Sequence, residues 1–195
     1  MIARTWHKKQ NDMIMIQVCL ICALVALLIF AVYNYAAIRC FGVPKTLSET
    51  FYLWQDVKKG YGAMFTAMMS SIAIILMPAW IEVSNAIGGW ESYFTFLAFL
   101  AAGSIAFVGA APAFRSCTLE SKVHSIAAKC AAVFSLLWCG VVCWRIAYIV
   151  PIAVAVVWGV AFATKTAKRC SVYWWEMCAF AATFATIITE CIILM

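Results

Sequence analysis

The chain has 195 residues, of which 67% are hydrophobic and only 11% are charged, and its formal net charge is +6. A soluble domain of this size must cover itself with polar groups, and this composition supplies too few of them. It therefore excludes an ordinary soluble domain and predicts an integral membrane protein. The positive charges lie in short segments between apolar runs, which is typical of membrane orientation, so we expect the lipid bilayer as a partner and no nucleic acid.

The first apolar run covers residues 13–38 and follows a short polar tail. It is far longer than the roughly 7 to 15 apolar residues of a secretory signal, so we interpret it as a retained transmembrane helix. About 20 helical residues cross the hydrocarbon layer of a bilayer, and this run exceeds that length. Cys19 and Cys22 lie inside it, where we interpret them as packing residues and not as a redox or metal pair.

The longest link, residues 39–60, predicts a helix of its own. Pro44 prevents the first helix from continuing, Thr46 to Glu49 fits a capping box, and Gly60 is a C-terminal stop signal. Apolar residues recur on one face of the intervening stretch and polar residues on another. We expect an amphipathic helix over residues 47–59 that lies in the membrane interface.

Five further apolar runs follow, and they predict spans at residues 61–81, 90–111, 123–142, 145–164 and 172–195. Pro78 is expected to kink or end the last turn of the second span. The predicted fold is all-α: a polytopic membrane helix bundle of six transmembrane helices and one interfacial amphipathic helix. We expect residues 1–195 to form a single integral membrane domain.

The third span carries a row of alanines at every fourth position. Ala98, Ala102, Ala106 and Ala110 form this row, and small residues at such spacing let two membrane helices approach closely. We predict that the row packs against a second row of small residues in the fourth span.

Six spans place alternate links on opposite faces of the membrane. The first, third and fifth links carry most of the lysines and arginines, so the positive-inside rule predicts that these links are cytoplasmic. Both termini would then be periplasmic in a bacterial inner membrane. The basic amino-terminal tail favours the opposite orientation.

The same alternation gathers six polar residues on the face of the odd-numbered links: Ser48, Glu49, Asp56, Glu120, His124 and Glu176. Glu120 and His124 are four residues apart, hence on one helical face, and the carboxylate would favour the charged imidazole. This pair is interpreted as a proton-handling site or an ion pair, with closure of helix ends by interfacial polar residues as the alternative. The five residues other than Asp56 are our candidate ligand-binding residues.

Four stretches carry a resemblance to known proteins: residues 47–52, 107–112, 122–124 and 173–176. At these stretches the chain resembles a family of uncharacterised small multi-pass membrane proteins from gut Bacteroidetes and their phages. The resemblance covers nearly the whole chain. It implies a multi-pass membrane protein and brings no activity with it.

A more distant resemblance is to the superfamily of alkaline ceramidases and progestin and adiponectin receptors. That superfamily has seven spans and a membrane zinc site of histidines assisted by an aspartate and a serine. Ser48 and His124 are the residues that match the pattern, whereas the other histidine, His7, lies in the tail. Because catalytic zinc sites use three protein ligands, we predict no metal site and no cofactor.

The leading functional expectation is non-catalytic binding of a lipid, a small ligand or a protein partner at the odd-link face. The first alternative is an interfacial lipid hydrolase, distantly ceramidase-like, with His124 as general base or metal ligand and Glu49, Glu120 or Glu176 assisting. The second alternative is a small transporter, although the expected pair of interrupted helices is not visible in the sequence.

Overall fold

The computed structural model describes residues 2–88, 94–112, 115, 118–142 and 148–195. Within these ranges the chain forms seven helices and no strand. They are α1 (Ile2–Phe41), α2 (Glu49–Val57), α3 (Ala63–Gly88), α4 (Phe94–Ala110), α5 (Thr118–Val142), α6 (Ile149–Ala163) and α7 (Ser171–Leu194). The prediction of an all-helical bundle is confirmed.

Four helical segments in the described part of the chain are long and apolar enough to cross a membrane. They are Met13–Phe41, Ala63–Gly88, Leu119–Val142 and Ser171–Leu194, and two shorter apolar helices cover Thr95–Ala110 and Ile149–Ala163. Large apolar side chains also point outward from the bundle, among them Leu28, Ile74 and Phe107, each more than 60% exposed. An outer surface of this kind is stable in lipid, so the chain is a helical membrane protein.

Three helices are longer than the spans predicted for them, and one of them is α5, which begins at Thr118, five residues before its predicted start. α1 has 40 residues, about 60 Å, and it includes the predicted polar tail. α3 passes through Pro78 and ends at Gly88, because buried residues that include Trp80 and Val83 continue the packed face beyond the proline. The predicted starts of two spans, at residues 90 and 145, lie outside the described residues.

The predicted helix in the first link is present as α2, which is shorter than the expected 47–59. The Glu49 backbone N–H donates to Thr46 Oγ1, and the Glu49 carboxylate accepts from the Lys45 backbone N–H. This is the reciprocal pattern of a capping box, displaced by one residue at its carboxylate end. Gly60 has a φ of +99°, a left-handed conformation suited to glycine, in the turn between α2 and α3.

The alanine row of α4 is buried along only part of its length. Ala98 and Ala102 are fully buried, Ala106 is half-buried and Ala110 is exposed. A helix has 3.6 residues per turn, so a row with a spacing of four winds around the axis and leaves the interface. A close approach of α3 and α4 occurs at Gly109, where an added Cβ would lie 2.9 Å from Met69 Cβ of α3.

Side-chain hydrogen bonds show that α3 runs antiparallel to α4 and parallel to α5. Thr66 at the start of α3 donates to the Gly109 carbonyl near the end of α4, and Trp138 near the end of α5 donates to Ser84 of α3. As a result, the starts of α5 and α7 and the ends of α1 and α4 meet at the end of the bundle that carries α2. We call this region the α2 end.

Candidate functional site

The segment before α2 runs along the first turns of α7, and three hydrogen bonds connect the two. The Cys170 thiol donates to the Val43 carbonyl, and the Tyr173 backbone N–H donates to the Lys45 carbonyl at 3.0 Å. The Leu47 backbone N–H donates to Glu176 Oε2 at 2.6 Å. These bonds satisfy backbone groups that a helix start and an irregular link would otherwise bury unpaired, and they fix the position of Ser48.

Ser48 and His124 meet at the centre of the α2 end. The Ser48 side-chain oxygen lies 2.7 Å from His124 Nε2, and His124 Nδ1 lies 2.9 Å from the carbonyl oxygen of Ala111, just beyond α4. Both side chains are buried. A carbonyl oxygen only accepts, so Nδ1 carries a proton, and in the neutral ring Nε2 is then the acceptor for the Ser48 hydroxyl.

Glu49 points away from this pair towards the surface. Its carboxylate forms an ion pair with Arg115 at 3.0 Å, and the Arg115 side chain is 54% exposed. The Arg115 guanidinium also lies over the ring of Tyr52, whose hydroxyl accepts the Arg115 backbone N–H. These contacts hold α2 against Arg115, which lies between α4 and α5 in the chain.

The structure therefore brings together part of the predicted polar group. Ser48 and His124 are in direct contact. Glu176 is linked to this pair indirectly, because its carboxylate accepts from the backbone N–H of Leu47, the residue before Ser48. Glu49 is adjacent in the chain but turned outward. Glu120 lies one turn before His124 in α5 and is half-buried. The assignment of the five residues to a binding site stays a prediction.

A cavity of about 60 Å³ extends from Ser48 into the bundle. Its polar lining comes from Ser48 and Glu176 at the α2 end, and from Ser135 and Thr183 deeper between α5 and α7. The remaining lining is apolar: Leu47, Met69, Leu76, Ile105, Val108, Ala128, Ala131, Ala132, Ala179 and Phe180. From Glu176 to Thr183 the cavity follows α7 for about 10 Å.

The Ala111 carbonyl and Thr183 were not predicted as parts of the site. A backbone acceptor leaves no trace in side-chain chemistry, so no sequence signal identifies Ala111. Thr183, however, belongs to a row of threonines at positions 183, 186 and 189 of an apolar helix. Polar residues spaced three apart within a span indicate a face turned towards the bundle interior.

Among the described residues at this end of the bundle, metal-binding side chains do not converge. Among the residues with described side chains, no group of three or more His, Cys, Asp and Glu is placed to hold a metal ion. His124 instead uses both ring nitrogens on protein groups. The Cys19 and Cys22 pair in α1 consists of two free thiols, the first buried and the second half-buried.

No protein-family model, curated protein or solved structure matches this chain. Its function is therefore inferred from the geometry of the α2 end, and both resemblances drawn from the sequence stay predictions.

Proposed function

We propose that this protein binds an acyl chain of a membrane lipid in the cavity, with the polar head of the lipid beside Ser48 and Glu176. The observation that carries the proposal is the lining of the cavity, which is apolar along its depth and polar at the α2 end. Binding sites for amphipathic molecules have this division, because apolar walls hold the chain and a few polar groups fix the head.

The membrane placement that goes with this function has six spans. α4 has 17 residues and α6 has 15, or about 25 Å and 22 Å, which is slightly less than the roughly 30 Å of a hydrocarbon core. Short spans are accommodated by local thinning of the bilayer. The α2 end, with its exposed Lys45, Lys58 and Lys59, faces the cytoplasm of a bacterial inner membrane, and both termini face the periplasm.

The size of the cavity limits the length of acyl chain that enters without rearrangement of the lining side chains. Its volume of about 60 Å³ is smaller than the roughly 150 Å³ of an engineered cavity that takes up benzene. A longer piece of acyl chain therefore enters by displacing the flexible side chain of Met69 and the ring of Phe180. Methionine adapts well to such displacement because it is unbranched and has three rotatable bonds.

Photocrosslinking tests this proposal directly. The purified protein in nanodiscs is irradiated with a phospholipid carrying a diazirine on one acyl chain, and the crosslinked residues are located by mass spectrometry. We expect adducts on residues of α5 and α7 that line the cavity. Ala132→Leu and Ala179→Leu should reduce these adducts at least several-fold, because the added side chains fill the space.

The matched control is Ala155→Leu, which makes the same substitution at an exposed position of α6 outside the cavity. It should leave the cavity adducts unchanged. Adducts confined to the outer surface of the bundle, equal in all variants, would show that the cavity takes up no lipid.

A further inference from the structure

We propose that Ser48 and His124 form a nucleophile and general-base pair that cleaves carboxylic esters of the acyl chain bound in the cavity. This inference rests on the proposed function, since the cavity supplies the substrate. It goes further in assigning a reaction to the α2 end and a substrate class, the long-chain acyl ester.

The first support is the contact between the two side chains. A serine hydroxyl becomes an effective nucleophile when a base accepts its proton, and the required reach is about 2.6 to 3.2 Å. Ser48 Oγ and His124 Nε2 are 2.7 Å apart. The pair is buried, and the low dielectric of such surroundings strengthens the hydrogen bond.

The second support is the orientation of the imidazole. A general base in such a pair needs a third group that holds the ring and its tautomer. Here the Ala111 carbonyl accepts the Nδ1 proton at 2.9 Å, which leaves Nε2 to accept from Ser48. The carbonyl oxygen thus takes the orienting position that a carboxylate occupies in a triad.

The third support is the position of Ser48 in the lining of the cavity, at the α2 end. Ser48 lines the cavity, whereas the carboxylate of the next residue, Glu49, is partly exposed. An ester at the boundary between an apolar chain and a polar head would lie at this depth. The Ser48 backbone N–H donates to no other described residue, so it is available to donate to the negative oxygen that develops during attack.

The reaction balances with water as the only co-reactant. Ser48 Oγ bonds to the ester carbonyl carbon while His124 Nε2 takes the hydroxyl proton. The bond from that carbon to the alkoxy oxygen then breaks, and the imidazolium returns the proton to the leaving alcohol. Water, deprotonated by His124, attacks the acyl-serine, releases the carboxylic acid and restores the Ser48 hydroxyl.

The test is covalent labelling with a long-chain alkyl fluorophosphonate, in which the serine oxygen bonds to phosphorus and fluoride leaves. The full-length protein in nanodiscs is treated with the probe, and the modified peptide is identified by mass spectrometry. We expect modification at Ser48. His124→Ala should lower the labelling rate at least about 100-fold, the usual minimum effect of a general base.

The matched control is Ser125→Ala, which removes an exposed serine from the neighbouring position in α5. It should label at the wild-type rate. Because Ser48→Ala also removes a structural hydrogen bond, the location of the adduct in the wild-type protein is the primary result and does not depend on that variant folding.

Absence of label on the wild-type protein, in a sample where an added serine esterase is labelled, would overturn the inference. So would modification of a different residue, or an unchanged labelling rate in His124→Ala. Lipid photocrosslinking on the same samples separates the two proposals. Cavity adducts without Ser48 labelling leave a binding protein, whereas loss of both removes the proposed function as well.

Discussion

Ser48 and His124 are 76 residues apart in the chain and share a hydrogen bond of 2.7 Å. The bond connects the segment before α2 with α5, and the other ring nitrogen of His124 connects α5 with the end of α4. One side chain thus joins three parts of the bundle. A typical hydrogen bond contributes about 0.5 to 1.5 kcal/mol, and burial raises the penalty for losing one partner.

Glu176 should stabilise the fold by accepting a backbone hydrogen bond. Glu176→Ala leaves the Leu47 N–H without its acceptor, and we expect a loss of about 1 to 3 kcal/mol in the free energy of unfolding. Glu176→Gln keeps a carbonyl acceptor of the same length and should retain most of that stability. Unfolding in mixed detergent micelles measures both variants, and equal losses in the two would contradict this role.

Gly109 should be intolerant of a side chain. In Gly109→Ala the new Cβ lies 2.9 Å from Met69 Cβ, so α3 and α4 must separate, and overpacking of this kind costs about 1 to 3 kcal/mol. Gly103→Ala is the matched control in the same helix, because a Cβ there has no neighbour within 4 Å. It should be neutral or stabilising by up to about 1 kcal/mol. Thermal unfolding measures the stability of both variants. A Gly109→Ala protein as stable as Gly103→Ala would refute the close approach of α3 and α4.

The ion pair between Arg115 and Glu49 should contribute little to the free energy of unfolding. The Arg115 side chain is 54% exposed, and exposed ion pairs are worth about 0 to 1 kcal/mol. Glu49→Ala should be the more damaging change, since it also removes the acceptor of the Lys45 N–H. A double-mutant cycle over Arg115→Ala and Glu49→Ala isolates the pair, and a coupling energy well above 1 kcal/mol would show that the pair is better shielded from water than its exposure indicates.

The orientation is tested by labelling intact cells with a membrane-impermeant thiol reagent. Asp56→Cys and Ala86→Cys are introduced singly into a variant without native cysteines, because both positions are exposed and they lie at opposite ends of the bundle. We expect labelling at position 86 only, which places the α2 end in the cytoplasm. Labelling at position 56 only would place the Ser48 and His124 pair in the periplasm. As a control, both cysteines should be labelled in permeabilised cells, which shows that each thiol can react.

Hydrophobic runs and helix signals were sufficient to predict the helices. The apolar runs correspond to six of them, and the capping pattern before Glu49 predicted α2, because these features depend on neighbouring residues alone. Helix ends were less predictable. Pro78 is a local signal for a break, but the buried contacts of Trp80 and Val83 hold the helix together beyond it.

The site was predictable only as a set of residues on one face. Alternation of the links placed Ser48, His124 and Glu176 at the same end, and the structure adds which of them touch. That Glu49 turns outward to Arg115 depends on the path of the chain between α4 and α5, which no periodicity encodes. The Ala111 carbonyl has no side-chain signature at all.

The hydrogen bond from Leu47 to Glu176 joins residues 129 positions apart, and this separation has a consequence for biosynthesis. At about 5 to 20 residues per second, Leu47 is synthesised on the order of ten seconds before Glu176. The segment carrying Ser48 therefore acquires its final anchor only after α7 has been inserted. A chain that stops before α7 lacks the acceptor of the Leu47 N–H, so the segment carrying Ser48 has this anchor only in molecules whose translation has passed Glu176.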